Sequence, residues 1–552
     1  MMKKISLYLS ISLLLMLSFG CTQEDLNDKE KLTSFIQTWG FLKYYHPVPS
    51  NGELDWDSVF VEKLNTIDTL KSKSDVNQFY TDWISSLGEV PSCDSCSIVP
   101  EDTLIVNLDF DWLDNSKIFN EEVKNQLKYI RKNRSTIGDY YTSSFDEEGF
   151  IHFKKEKEYD EAYPSKEIRL LALARLWNVI NYYFPYKNIA DEDWDKILPE
   201  QIEAFAQAKN AEEYHISVVR LTAKLDDTHA YSFSNTIKNL RGKYHVPFDL
   251  TVVDDMVVVV PNGDDSLTRV IGIQNGDVIS KIDGRTVKQW KDSLSSTMAC
   301  SNEATLSRDM RWNLFNLDKD SIKVVVDRQG KEFEKYIKLY ENDEIHWDYH
   351  PNETVYKSYP NDIAYISLGL IQNEEVNWIF DSLQTKKGLI VDDRGHADGT
   401  GTYKLLGLIK NEPTKFSFIM YPQNKFPGTF YKGEFGEFVV DSASSYNGKV
   451  ALLCNSYTQS AGEYTLMAYQ TIPGSKVIGS QTAGADGNVA GLKLSGGIET
   501  YYSGLGVFYP NGKPTQRIGI QPDIKVEPSL EDVRNQRDAV LERALKYLNE
   551  GD

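Results

Sequence analysis

The sequence predicts a multi-domain α+β protein in which a duplicated helical N-terminal region precedes a small β-rich module and an α/β core. The helical duplication rests on five landmarks: Trp39, Tyr44, Tyr45, Pro47 and the pair Trp56-Asp57 recur as Trp177, Tyr182, Tyr183, Pro185 and Trp194-Asp195 at one constant offset of 138. The β-rich module rests on β-branched runs around an acidic turn between Val246 and Pro261. From about Glu341 onward, short apolar runs alternate with stretches of helical spacing, which is the pattern of an α/β layer. The implied boundaries are 24–140 and 141–240 for the two helical copies, 245–340 for the module, 341–530 for the core and 531–552 for a C-terminal helix.

Residues 1–21 have the layout of an export signal. Lys3 and Lys4 give a basic start, Ile5 to Phe19 is apolar, and a small residue precedes Cys21. Leu17-Ser18-Phe19-Gly20-Cys21 resembles a bacterial lipoprotein box, which implies lipidation of Cys21. Thr22 after the cysteine resembles signals that let lipoproteins proceed to the outer membrane, and Glu24-Asp25 is similar to surface-export tags. No later run reaches the length of a membrane span, so the expectation is a soluble body on a lipid tether in the cell envelope.

Of 552 residues, 41% are apolar and 12% aromatic, enough for ordinary globular cores in several domains. Asp plus Glu number 81 against 60 Lys plus Arg, and the net charge of −21 argues against nucleic-acid binding. It also gives no reason to expect attraction to an anionic membrane, leaving the lipid as the membrane contact. Cys93 and Cys96 form a CxxC in an exported chain without a second cysteine pair, which reads as a small disulfide. Cys300 and Cys454 stand in apolar company and read as buried thiols.

The aromatic landmarks of the helical region read as core, not as a binding site. Copy two ends in Leu225-Asp226-Asp227-Thr228-His229-Ala230-Tyr231, whereas the same offset in copy one lands on Leu87-Gly88-Glu89-Val90-Pro91. In the core, Asp362 to Ile366 and Gly388 to Asp392 read as strands, the second running into a turn that reaches Gly401. GKVALLC, ending at Cys454, reads as a buried strand. It is followed by the polar stretch Asn455 to Gln459 and then by residues of good helix propensity. Ser460 would therefore stand at a helix N-terminus, either as a cap or as a nucleophile whose oxyanion the unpaired N–H groups and the helix dipole stabilise.

Thr458, Ser460, Ala461 and Glu463 form a T-x-S-A-x-E pattern after a V-x-L-L strand. This resembles the nucleophile segment of the serine peptidase family that contains the C-terminal processing (tail-specific) proteases and the tricorn core protease. Copy two's L-x-D-x-H-x-Y resembles the tricorn-like segment carrying the catalytic histidine, with Thr228 where Ser is often found, and implies His229 as general base. The G-I-x-x-G-D-x-I-x-x-I-x-G run from Gly272 to Gly284 resembles a bacterial PDZ domain, which takes extended peptide C-termini by strand addition.

The Asp392 to Gly401 turn resembles D-L-R-x-N-x-G-G, whose turn amide supplies half of the oxyanion hole while Ala461 supplies the other. Asp398 stands at the first of the paired glycines, which leaves Gly399 as the candidate. His396 in this turn reads as a substrate contact or as a solvent-exposed side chain. C-terminal processing proteases carry a general-base Lys where this chain has Ala485, so the resemblance implies a Ser/His arrangement instead. Gly504 to Val526 resembles the closing strands. Tricorn-like members place a Glu where Gln516 stands here, whose carbonyl can orient an imidazole N–H. Glu463 and Asp486 are further candidate carboxylates.

The resemblance implies a core of the ClpP/crotonase-like type and a secreted, lipid-anchored serine endopeptidase acting on peptide or unfolded protein substrates. A peptide-binding lipoprotein with weakened chemistry is the second reading, favoured by Ala485 and Gln516. Neither reading implies a metal or organic cofactor, since no ligand spacing or phosphate-cradling loop is present.

Overall fold

A computed structural model describes residues 27–96, 98–135, 138–144, 149–347, 354–395, 397, 399–410, 412–441 and 445–550. Cys21, His396 and Asp398 lie outside the described residues. Helix α1 (Asp28–Tyr45) starts at Asn27, whose side chain accepts the Lys29 N–H, and stops at His46, where Pro47 disfavours another helical turn. It is followed by α2 (Trp56–Thr69) and α3 (Lys73–Ser86), capped by Asp55 and Ser72. The trio returns 138 residues later as α4 (Lys166–Tyr183), α5 (Trp194–Gln207) and α6 (Ala211–Ala223).

In each trio two indoles exchange hydrogen bonds. Trp39 and Trp56 donate to each other's carbonyls at 3.1 and 3.2 Å, and Trp177 and Trp194 do so at 3.0 Å both ways. A buried indole N–H needs a partner, and this exchange supplies one while locking two helices at their crossing. Both trios share one apolar core, into which Ala490, Leu492, Ile498 and Tyr502 of the C-terminal half also pack. Lys43 and Arg175 are buried there too, facing Glu156 and Asp57.

Each trio is followed by a short strand, β1 (Thr103–Ile105) after copy one and β2 (Tyr231–Phe233) after copy two. Cys93 and Cys96 are disulfide-bonded ahead of β1, Cys454 is buried, and Cys300 is only partly buried, contrary to its apolar neighbours in sequence.

The β-rich module has its own core, from Val246 to Ile345. Its antiparallel sheet runs β7-β6-β5-β4-β3, with β3 Asp249–Val253, β4 Met256–Val260, β5 Val278–Ile282, β6 Ser321–Arg328 and β7 Lys331–Lys338. Helix α7 (Glu303–Met310) leaves this sheet toward the rest of the molecule.

The core sheet runs β8-β9-β10-β13-β14-β18. It comprises β8 (Tyr356–Tyr359), β9 (Ile363–Ser367), β10 (Gly388–Asp392), β13 (Lys449–Cys454), β14 (Lys476–Gly479) and β18 (Ile524–Lys525). All neighbours are parallel except the edge strand β8, and β10 is buried throughout, as expected of a sheet covered on both faces. Strand β1 joins a second sheet with β11 (Ser417–Pro422), β12 (Thr429–Gly436) and β17 (Gly506–Phe508), in the order β1-β12-β11-β17. Strand β2 joins a third with β15 (Val489–Leu494) and β16 (Ile498–Ser503), in the order β15-β16-β2. The helical region is thus stitched to the core at two places.

The C-terminal stretch forms two helices where one was expected, Leu530–Arg534 and α9 (Ala539–Glu550). Between them Gln536 takes a left-handed φ of 55°, which no helix can continue through. Among the described residues no helix is long and apolar enough to cross a membrane.

Candidate active site

Strand β13 ends at the buried Cys454, and α8 (Ala461–Tyr469) begins after a six-residue turn. That turn is tied down from below. Asn455 Oδ1 accepts the Tyr457 N–H at 2.9 Å, and the Thr458 hydroxyl donates to the Asp393 carbonyl at 2.5 Å. Ser460 occupies the position before the helix with φ 57° and ψ −121°, a conformation that costs a non-glycine residue free energy. Its side chain makes no cap hydrogen bond, so the helix-cap alternative does not describe it. Its N–H donates to the Ala485 carbonyl at 2.9 Å. Among the described residues nothing accepts the Ala461 N–H, which stands at the positive end of α8.

Glu463 lies one turn further on, fully buried. It accepts the Thr482 hydroxyl and the N–H groups of Gly484 and Ala485, the latter two at 2.8 and 2.9 Å. Burial pushes its carboxyl up to about 7 against these stabilising donors. Both oxygens are therefore committed to the 482–485 loop, and the residue holds that loop against the Ser460 turn instead of serving a histidine.

The cleft in front of Ser460 has a volume of about 1100 Å³. Ala461, Asp486, Asn488 and Leu505 line it, with Tyr403, Tyr421, Tyr431 and Tyr464 as walls and Asp102 and Thr103 at the β1 side. Between β10 and helix Thr400–Ile409, Ala397 lines this cleft and Gly399 does not. Gly399 precedes helix Thr400–Ile409 at φ −86°, an ordinary backbone that requires no glycine.

His229 enters from copy two. The Asp227 carboxylate, buried, accepts the His229 N–H at 3.0 Å, the Ser503 N–H at 2.7 Å, the Ser503 hydroxyl at 2.9 Å and the Gln516 amide at 2.9 Å. His229 Nδ1 lies 3.0 Å from Ser503 Oγ. Because that hydroxyl spends its proton on Asp227, its oxygen accepts from Nδ1–H, and the lone pair of the neutral ring is carried by Nε2. Gln516 reaches this cluster by donating to Asp227 and not by orienting the imidazole, since a carboxylate is the stronger acceptor for its amide. Thr228 points away: its hydroxyl accepts the Ser301 N–H at 2.8 Å and lies 3.2 Å from the Thr305 hydroxyl, at the joint with the module.

The third sheet links the two groups of residues along the chain, although His229, Asp227 and Ser503 are not among the described residues that line the cleft. Ser503 pairs with Val489, and the Gly504 N–H donates to the Asn488 carbonyl at 2.8 Å, next to the cleft-lining Leu505. The module also grips the site. Arg308 of α7 donates to the Ser456 carbonyl and to Gln459 Oε1 at 2.5 and 2.9 Å, while the Asn302 amide reaches the carbonyls of Thr482, Ala483 and Arg517. Sequence reasoning passed over Asp227 and Ser503. Asp227 carried a signal, as the D of L-x-D-x-H-x-Y, whereas Ser503 carried none. Among the described residues no group of three or more His, Cys, Asp or Glu is arranged to hold a metal ion.

Residues 362–526 match peptidase family S41, a family of serine peptidases. No curated protein matches the sequence. Among solved structures, mature CPAF complexed with lactacystin is 12% identical with a TM-score of 0.54, over 69% of this chain and 97% of that one. Mature CPAF alone is 13% identical with a TM-score of 0.53, over 70% of this chain and 99% of that one. The photosystem II D1 C-terminal processing protease is 18% identical with a TM-score of 0.39, over 67% and 98%. At these identities the likeness to CPAF concerns the mixed α+β fold.

Proposed function

We propose that this chain, whose residues 362–526 match peptidase family S41, hydrolyses peptide bonds through Ser460 as nucleophile and His229 as general base. The observation that carries the proposal is the hydrogen-bonded chain Asp227–Ser503–His229, which leaves Nε2 as the basic atom of a histidine joined to the Ser460 cleft through one sheet. Ser460 Oγ adds to the carbonyl carbon of the scissile bond and its proton passes to Nε2. The Ala461 N–H and an amide near Gly399 receive the oxyanion. The imidazolium returns the proton to the leaving amine, and water then repeats the sequence on the acyl-enzyme. Asp227, acting through Ser503, favours the imidazolium.

The Ser/His arrangement with Ala485 in place of a lysine supports the tricorn-like branch and a ClpP/crotonase-like core. The Gly272 to Gly284 pattern supports a PDZ-like module that presents peptides or unfolded chains. Export and lipid anchoring at Cys21, with an outer-membrane location, rest on the lipoprotein box. The second reading, a peptide-binding lipoprotein with weakened chemistry, draws on the uncharged Gln516 beside Asp227.

A fluorophosphonate probe separates the readings. The wild-type chain is expected to label, and Ser460→Ala and His229→Ala each to abolish labelling. Absence of labelling in the wild type overturns the peptidase reading in favour of the second.

A further inference from the structure

We propose that a second cavity, between helical copy two and the β-rich module, binds a fatty acid anion of about ten carbons, with the alkyl chain inside and the carboxylate on Arg241. No residue lining this cavity lines the Ser460 cleft, so the site stands apart from the peptidase reading. It has a volume of about 330 Å³ and forms where the rims of two cores meet. Val219 of α6 and Ala299 belong to the rim of the helical core, and Trp290, Leu294, Met298 and Leu317 to that of the module core. All six are only partly buried, because the surface they keep faces the cavity. At the roughly 30 Å³ that a water molecule takes in the liquid, there is room for about eleven non-hydrogen atoms.

Most polar side chains of this wall are engaged within the protein. The Thr222 hydroxyl lies 2.8 Å from Ser232 Oγ, and Thr297 donates to the Leu294 carbonyl at 2.9 Å. The Asn313 amide donates to the Asp309 carbonyl at 3.1 Å, and the Asp309 carboxylate accepts the Arg308 guanidinium at 2.6 and 2.9 Å. Burial pushes the Cys300 thiol up to about 12, so no thiolate stands in the wall to repel an anion. Arg241 differs. It lines the cavity and is exposed, which puts it at the mouth, and among the described residues its guanidinium makes no hydrogen bond or ion pair. The protein crowded around it lowers the guanidinium, and no carboxylate opposes that shift. An apolar chamber with one free cation at its opening fits a ligand made of an alkyl chain and a single negative charge. A peptide end would bring several amide groups that each need a partner, whereas an alkyl chain asks for none.

Calorimetric titration of the full chain with decanoate and with decanol, below micelle formation, reads the number of sites and the affinity. One decanoate per chain is expected, with decanol at least about tenfold weaker, because a hydrogen bond to a charged group is worth that factor or more. Arg241→Gln is expected to bring decanoate to within about threefold of decanol and to leave decanol as it was. Ala299→Trp and Val219→Trp fill the cavity from its two sides, and each is expected to abolish binding of both compounds in chains whose melting shows them folded. Absence of saturable decanoate binding overturns the site. Equal affinities for decanoate and decanol in the wild type overturn the anionic class of ligand. Decanoate binding that persists in a folded Trp variant lies elsewhere on the chain and overturns this cavity. A peptide ending in leucine that displaces decanoate at lower concentration assigns the cavity to a chain terminus and overturns the fatty acid.

Discussion

In copy one of the helical unit, α3 runs out through Leu87-Gly88-Glu89-Val90-Pro91 toward the Cys93–Cys96 loop and β1, whereas in copy two α6 runs out through Leu225-Asp226-Asp227-Thr228-His229 into β2. Each exit lays an edge strand against the core, β1 beside β12 and β2 beside β16. The architectural duty is therefore shared, while the side chains proposed to carry the chemistry are confined to one copy. Helix packing explains why. The Trp exchanges fix the crossings in both trios and tolerate little change, whereas at the exits only the anchoring leucine, Leu87 or Leu225, is kept in the shared core and the polar positions after it differ.

The sharpest way to break the comparison is to neutralise matched carboxylates at the two exits. Asp227 and Glu89 stand at the same place in the repeat, one buried under four donors and the other exposed. Asp227→Asn is expected to lower the peptidase turnover and the fluorophosphonate labelling rate about a hundredfold or more, with kcat affected more than KM. Glu89→Gln is expected to leave both rates within about twofold. Equal effects at the two exits would remove the functional asymmetry argued above.

Local signals made part of this molecule legible in advance. The Trp, Tyr and Pro landmarks announce the helices because they recur at one offset in two copies whose first helices, α1 and α4, are buried almost all round, and Ser460 stands out because strand, turn and helix follow one another along a single stretch. The joins are different. Ser503 meets Asp227 across 276 positions only because β16 lies beside β2, and β1 completes a sheet whose other strands begin at Ser417. Nothing in the composition of either segment specifies its partner. The Gln516 and Glu463 assignments share one source of error: a resemblance can locate a polar side chain, but the nearest strong donors or acceptors decide whom it serves. For Gln516 that is Asp227, and for Glu463 the amides of the 482–485 loop.

A smaller effect is expected where the repeat places one aspartate in two environments. Asp57 and Asp195 are equivalent, each directly after a Trp of the indole exchange. Asp57 is buried against Arg175, with Lys43 and Glu156 completing the cluster. Burial also lifts the Asp57 carboxyl, against the pull of Arg175 and Lys43, but Asp57→Asn leaves those two buried cations with one carboxylate, and this larger loss is expected to cost about 3 kcal/mol in denaturant unfolding of the intact chain. A loss under about 1 kcal/mol would mean that water or rearrangement neutralises the cluster.

At Asp195 the same substitution is expected to act in the opposite direction. This aspartate is partly buried, and desolvation is the main cause that lifts its carboxyl to about 6; Lys187 lowers it, while Asp109, Asp193 and Asp111 raise it. A folded value above the unfolded one means that the native state holds the proton more tightly. Stability is then lost as pH rises from about 3.8 to about 6 and stays lower above that. Asp195→Asn removes this loss. The variant is expected to be more stable than the wild type by about 1 kcal/mol at pH 7 and to match it near pH 4, after allowance for partial exposure and for the favourable first-turn position of an acid. Paired denaturant melts at the two pH values read the difference directly. A gain of equal size at both would show that the charge of Asp195 is not its source, and a loss at pH 7 would show that Lys187 holds Asp195 as firmly as Arg175 holds Asp57.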